Sequence, residues 1–304
     1  MLHAATASSS RDLGHQSRVL RRDPCPELPS PAYGAATVRL VDTRAERLLA
    51  IVLRTVAYGD HDVIAHLLVR GRGRVSAFAR GARSSRRRFA GALEPFQLVE
   101  VLLSERRGQE LWMLREAAVT EPFAGLRDDL YRIAHAGYAA ELAHELSRPA
   151  EPADDLFAVL AAFLDRLSRG PATSARLRAF ELGALAAAGL TPELSACARC
   201  GSPVVSGKAP FDVDAGGLAC ARCAHPGALL LTAGGRAALA QLQREGLRGA
   251  DAPLSADGSG RPADTRAFED ACAQAARPLA AFLLHHLGRL PRSVEFAQQV
   301  GAPP

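Results

Sequence analysis

Between Leu49 and Ala118 apolar residues alternate with polar ones in short runs, whereas from Phe123 onward they recur at steps of three to five. The first period belongs to half-buried strands and the second to amphipathic helices. Runs rich in β-branched residues at Leu49–Val56, Val63–Val69, Arg74–Ala79, Gln97–Ser104 and Glu110–Ala118 predict five strands. They are broken at Tyr58-Gly59-Asp60, Gly71-Arg72-Gly73, the segment from Arg80 to Pro95, and Arg107-Gly108-Gln109. Five short strands, with one longer connection after the third, suit a small closed or partly open barrel, for which the OB-fold is the natural candidate. Its usual ligand is single-stranded nucleic acid.

The helical period begins after Glu121-Pro122, with Phe123, Leu126, Leu130, Ile133, Gly137 and Leu142 on one face, Pro122 in the first turn and Thr120 as the expected N-cap. Further helices are expected over Ala153–Ser168, ended by Gly170-Pro171, and over Thr173–Ala188, stopped by Gly189. An alanine-rich helix follows around Thr232–Glu245. The Gly/Asp/Ser-rich stretch Gly249–Pro262 reads as a mobile loop. The last helix is expected to begin near Pro278 and stop at Gly288, because proline is tolerated at a helix start. Asp128-Asp129 and Asp154-Asp155 fall at helix starts, where capping is their expected role.

Between these helical stretches, Cys197-Ala198-Arg199-Cys200 and Cys220-Ala221-Arg222-Cys223 form two C-x2-C knuckles separated by 19 residues. Each knuckle can place two thiolates on one cation, so together they complete a tetrahedron around Zn2+. Four sulfurs leave no open coordination position, and the site is expected to be structural. His225 could compete as a ligand, although four thiolates suffice. A ribbon over residues 194–228 has few apolar residues of its own, so metal binding is expected to supply its folding free energy. Cys25 is expected to be inert.

Composition narrows the function. The 304 residues are 48% hydrophobic and 23% charged, as in a soluble globular protein of more than one folding unit, and no apolar run approaches the roughly 18 residues that a membrane helix needs. Paired cysteines in a chain this long favour metal over disulfides and a reducing cytoplasm. Residues 1–44, rich in Ser, Arg, Pro and Ala without a sustained period, are expected to be a disordered extension.

The net charge is only +5, yet Lys208 is the sole lysine and arginines crowd one stretch, Arg70–Phe89, which contains no acid. Arg70, Arg72, Arg74, Arg80, Arg83, Arg86, Arg87 and Arg88 bracket the third predicted strand and are the candidate DNA-binding residues. Phosphate contacts carry no base information, so binding should be weakly sequence-selective. Tyr58, Phe78, Phe89, Phe96 and Trp112 are the aromatics available for stacking, and several of them must serve the core. No G-x-x-x-x-G-K-[ST] loop occurs, and no nucleophile has a plausible base, so neither ATP hydrolysis nor catalysis is expected.

The run from Ile51 to Leu103, with its RGAR-RF-G-LEPF segment, resembles the N-terminal OB domain of the DNA repair and recombination mediator RecO family. EPFAGLRDDLYRIAHAGYAAEL, LRAFELGALAAAGLTPELSACARCG, GGLACARCA and LLHHLGRLPRSVEF resemble its later parts in order, over about residues 47–298. The resemblance implies an α+β chain: an OB-fold barrel at 45–120, an α-helical domain at 121–193 and 229–298, and an inserted zinc ribbon at 194–228. It also implies that the protein binds single- and double-stranded DNA, anneals complementary strands and works with RecR, and in many species RecF, to load RecA onto DNA coated by single-strand binding protein (SSB). The family contacts the acidic C-terminal tail of SSB through its helical domain. A cytoplasmic, nucleoid-associated location would follow. Residues 1–45 and the polar stretch near 249–266 depart from the family pattern. From the residues alone, a zinc-ribbon transcription regulator reading a duplex site remains an alternative.

Overall fold

In a computed structural model, residues 45–85, 87–105, 111–204, 207–252 and 264–302 are described. The expected disordered extension, Cys25 and Arg86 lie outside them. Five strands, β1 (Glu46–Tyr58), β2 (Asp62–Val69), β3 (Gly73–Ala79), β4 (Leu98–Ser104) and β5 (Leu111–Glu121), close a barrel in the order β1-β2-β3-β5-β4. β3 and β5 pair in parallel and every other pair is antiparallel, with β4 returning to β1. This is the OB-type barrel that the alternation predicts. In β3 the period of two is unbroken: Gly73, Val75, Ala77 and Ala79 point inward, while Arg74, Ser76 and Phe78 point out. Phe89, carried by the connection after β3, is buried with Leu67, Val75, Val101 and Leu103 in the barrel core.

A bulge between Val52 and Arg54 interrupts β1, where Val52 exchanges backbone hydrogen bonds with Phe96 and Gln97. Past it, Leu53 joins Ile51 and Leu68 in the core shared with the helices. The barrel therefore contributes its outer surface to a second core.

Helix α1 (Leu130–Leu146) begins later than expected. Thr120 is still in β5, Pro122 follows it, and a 3-10 turn (Ala124–Asp128) intervenes. The N-cap is Asp129, whose side chain accepts from the Tyr131 N–H. Helices α2 (Asp154–Arg169) and α3 (Ser174–Ala187, capped by Thr173) follow. Between α1 and α3 lies a buried charge pair: Arg178 Nε is 2.6 Å from Glu181 Oε2, and the Tyr138 hydroxyl donates to Glu181 Oε1 at 2.6 Å. Burial raises the Glu181 carboxyl, against the pull of Arg178 and Tyr138.

A small sheet of β6 (Ala209–Asp212), β7 (Gly217–Leu218) and β8 (Leu229–Leu231), in the order β7-β6-β8, carries the cysteine knuckles. The chain then forms α4 (Ala233–Glu245), α5 (Leu247–Asp251), α6 (Thr265–Gln274), α7 (Ala276–Leu287) and α8 (Ser293–Val300). Three expectations change here. The presumed loop from Gly249 overlaps α5, whose Asp251 pairs with Arg166 and Arg176, each at 2.9 Å. Pro278 is the third residue of α7, where its missing N–H costs no helical bond, and α6 precedes it. Beyond Gly288, a further helix, α8, is held by Glu141, which accepts from the N–H groups of Arg292 and Ser293.

Barrel and helices are locked at the β2–β3 hairpin. Arg74 N–H donates to Arg148 O, Ala150 N–H donates to Arg74 O, and Gly71 N–H donates to Asp154 Oδ1 at 2.7 Å. Gly73 sits at φ 67°, and a Cβ there would lie 1.7 Å from Glu151 O. No side chain fits that approach. Gly73→Ala is expected to destabilise the protein by about 3 kcal/mol through left-handed strain and overpacking, read as a lowered denaturant midpoint with the barrel and α1–α2 losing hydrogen-exchange protection together.

Candidate nucleic-acid interface and metal centre

The barrel splits the seven candidate arginines among the described residues between two ends of β3. Arg70, Arg72 and Arg74 lie at the β2–β3 tip against the helices. There Arg72 pairs with Glu46 at 2.7 Å, and Arg74 donates to His144 Nε2 at 2.7 Å and to His144 O at 3.1 Å. Arg80, Arg83, Arg87 and Arg88 lie at the opposite end, in the connection after β3. Arg83 donates to Asp60 O and its N–H to His61 O, which ties this connection to the β1–β2 turn. Arg88 donates to Arg80 O at 2.8 Å and lies over the Phe89 ring, its guanidinium carbon 5.1 Å from the centroid. Arg87 and Arg88 border a cleft of about 630 Å³ that also contains Glu100 and Glu116, both paired with Arg47. Folding thus brings acids to one flank of a stretch that has none in sequence.

Between the two ends runs the outer face of β1, β2 and β3. Register places Val56, Ile64 and Phe78 in one cross-strand row, and Arg54, His66 and Ser76 in the next. Tyr58, 58% exposed, stands edge-on to Phe78 with ring centroids 5.7 Å apart. Of the five aromatics considered for stacking, this pair is displayed on the face. Phe89 is 2% exposed in the barrel core, Trp112 packs on that core, and Phe96 lies against the helical core. The sequence reading missed Arg54 and His66, although the period of two that puts Val56 and Tyr58 outward also puts Arg54 outward.

The four ribbon thiols converge. The sulfurs of Cys197, Cys200, Cys220 and Cys223 all lie within 4.8 Å of one another, and Cys200 and Cys220 are 3.8 Å apart. Metal–sulfur bonds of about 2.3 Å in a tetrahedron give an edge of about 3.8 Å, so the group can hold one metal ion. The knuckles are shaped by the backbone. Gly201 at φ 70° lets its N–H reach Cys197 O, and Ala224 N–H donates to Cys220 O. Hydrogen bonds from Ser202 hold the Cys200 thiol down, to about 6, while hydrogen bonds with Cys200 and Cys220 push the Cys223 thiol up, to about 12.

Fully buried Asp212 ties the knuckles together, a role the sequence reading did not find. It accepts from Arg199 of the first knuckle at 2.7 Å and lies 3.6 Å from His225 just past the second. Burial pushes its carboxyl up, but Arg199 and the Ala215 N–H hold it below the usual range. His225 is thus an Asp212 neighbour outside the four-thiol group. His285, in the last turn of α7, lies 3.3 Å from Asp214. The ribbon is not packed on its metal site alone. Phe211, Leu218 and Leu231 are buried in the helical core, with Phe211 against Phe282 at 5.9 Å between centroids.

An OB-type barrel with a basic edge, joined to helices that carry a four-thiol ribbon, defines a barrel-and-ribbon class of protein. Residues 45–123 match the family model "Recombination protein O N terminal", and residues 127–294 match "Recombination protein O C terminal". DNA repair protein RecO of Anaeromyxobacter sp. (strain K) is 51% identical over 257 residues, covering 84% of this chain and 96% of the relative. The RecO proteins of Anaeromyxobacter sp. (strain Fw109-5) and Myxococcus xanthus (strain DK1622) are 47% and 42% identical, with coverages of 85% and 98%, and of 83% and 96%. The chain belongs to the recombination protein O (RecO) family. No helix among the described residues is long and apolar enough to cross a membrane.

Replacing Cys197 and Cys200 together with Ser is expected to abolish metal binding, from one ion per chain to none by elemental analysis. Hydrogen exchange in the knuckles, 197–201 and 220–224, should rise while β1–β5 and β6–β8 keep their protection. A double variant that still holds one ion would contradict the four-thiol site.

Proposed function

We propose that this protein is a DNA repair and recombination mediator that acts by binding. It takes single- and double-stranded DNA on its barrel, anneals complementary strands, and with RecR, and RecF where present, assists the loading of RecA onto SSB-coated DNA. The observation that carries this reading is the outer face of β1–β3, where exposed Tyr58 and half-buried Phe78 adjoin the arginine-rich connection after β3. Aromatic faces stack on any base and guanidinium groups neutralise any phosphate, so such a surface binds strands without reading their sequence. Neutralised backbones can approach one another, which favours annealing and needs no ATP.

The ribbon holds Zn2+ through Cys197, Cys200, Cys220 and Cys223 as a structural ion, since four thiolates fill its coordination. For protein partners, the helical unit offers an apolar cleft of about 290 Å³. Its lining includes Tyr138, Leu177, Ala280, Val294 and Ala297 together with Arg277, a composition suited to the short apolar and acidic tail of SSB. The barrel (45–120), the helices (121–193 and 229–298) and the ribbon (194–228) then divide the labour between DNA, protein partners and scaffold.

Replacing Arg80, Arg87 and Arg88 with Ala removes three phosphate contacts. It is expected to weaken oligothymidylate binding, to flatten the dependence of log affinity on log salt by about 2, from about 0.7 per contact, and to slow annealing of complementary oligonucleotides. Undiminished binding and annealing by the folded variant would overturn the reading.

A further inference from the structure

At its far end from Tyr58, the outer face of β1–β3 runs into α1, and the groups meeting there are almost all cationic or nitrogen-bearing. Arg54 stands beside His66 in the β1–β2 register, and His66 Nδ1 lies 3.0 Å from the Ser76 hydroxyl of β3. The His66 ring is edge-on to His144 of α1, with centroids 5.6 Å apart, and Arg74 donates to His144 Nε2. A guanidinium only donates, so Nε2 is the acceptor nitrogen of His144 and its proton sits on Nδ1. That buried Nδ1 has no hydrogen-bond partner among the described residues. Burial and the nearby Arg74 and Arg54 hold His144 down to about 4, and the same causes lower His66. At neutral pH the two guanidinium groups therefore carry the charge.

The carboxylates nearest them on α1 are engaged elsewhere. Glu141 and Glu145, the acids of α1 nearest His144, are taken by the segment joining α7 to α8. Glu141 accepts from Arg292 and Ser293, and Glu145 pairs with Arg289 at 2.5 Å. Arg54 makes no ion pair among the described residues. Arg54 and His144 line a cleft of about 500 Å³ between the barrel and the helices together with Arg289, Arg292 and the engaged carboxylates Glu141 and Glu145, and Arg74 and His66 adjoin it through their contacts with His144. Two guanidinium groups that make no ion pair among the described residues, and an orphaned ring N–H, make a half-desolvated seat for an oxyanion.

We propose that Arg54, His66, Arg74 and His144 form a phosphate seat in the notch between β1–β3 and α1. A phosphodiester of a strand lying on the barrel face would be anchored there. The occupant is nucleic acid because the seat continues the row that holds the stacking pair: Arg54 is two residues from Val56 and four from Tyr58 on the same side of β1. Four strand residues span about 13 Å, so a strand held by Tyr58 and Phe78 reaches the notch without leaving the face. The inference rests on the barrel-face reading above, and adds that the DNA path crosses from the barrel onto the helical unit.

The test compares Arg54→Gln with the Arg80, Arg87 and Arg88 triple alanine variant, and with Arg169→Gln, which removes an exposed α2 charge of the same sign. Oligothymidylate binding is measured by fluorescence anisotropy across a salt series, on proteins with matched thermal midpoints. Arg54→Gln is expected to lose about tenfold in affinity, the equivalent of one charge-assisted hydrogen bond, and to flatten the salt slope by about 0.7, with Arg169→Gln unchanged. If the triple variant binds weakly and Arg54→Gln binds like the parent, the seat is wrong while the barrel reading stands. If neither variant loses affinity, both fail. Equal losses in Arg54→Gln and Arg169→Gln would reduce the effect to net charge and overturn the seat. So would an unchanged oligothymidylate affinity accompanied by loss of hexaglutamate binding, which would give the notch to an acidic protein segment.

Discussion

Everything outside the barrel depends on how closely the β2–β3 hairpin approaches the α1–α2 connection. The backbones of Gly73 and Glu151 meet at a distance that excludes even a methyl group. The polar groups of the hairpin tip are consequently satisfied by the helical unit: Arg74 and Ala150 exchange backbone bonds, and Asp154 takes the Gly71 N–H. A buried backbone group left unpaired would cost about as much as a hydrogen bond. The docking is therefore specific in register as well as in position. Ile51, Leu53 and Leu68 then complete a shared core, and the barrel cannot slide on the helices without exposing them.

That docking decides which arginines face solvent. It spends Arg74 on the junction and leaves Arg72 to an ion pair with Glu46, while the connection after β3 keeps Arg80, Arg87 and Arg88 exposed at the other end. Arginines adjacent in sequence are thus separated by the length of a strand. In their place, residues far apart in sequence, Arg54, His66 and His144, come together where the barrel meets α1. The distribution of charge over the barrel is set by this folding geometry more than by the density of arginine along the chain.

Much of this was legible in advance. Period-two alternation fixed the five strands closely, because each buries one face and register follows the pleat. The C-x2-C spacing placed the four thiols because two knuckles can meet only by sharing a centre. Helix starts were less legible. Thr120 and Pro122 carry cap chemistry, but β4 holds that segment in the sheet through Glu121, so tertiary pairing overrides the local signal and Asp129 caps instead. Pro278 reads as a helix start because a proline's missing N–H is harmless anywhere in a first turn, and α6 was hidden behind it. Helix α8 has no buried residue to mark a period. The anchors that involve a pair distant in sequence, such as Asp154 with Gly71 or Asp212 with Arg199, leave no local pattern at all.

The ribbon shows how the two kinds of constraint divide their work. Its apolar residues are too few to form a core, yet Phe211, Leu218 and Leu231 do not need one, since they complete the helical core against Phe282. The sheet β6–β8 is accordingly held by hydrophobic burial, which needs no metal. The knuckles lie outside that core: Cys200 is exposed, and Cys220 and Cys223 are only partly covered. What fixes them is the four-sulfur centre from one side and Asp212 from the other, through Arg199 and His225. A metal ion held by these thiols would therefore act on the shape of this surface more than on the existence of the fold, since its loss would loosen the knuckles first and leave the strands beneath them anchored.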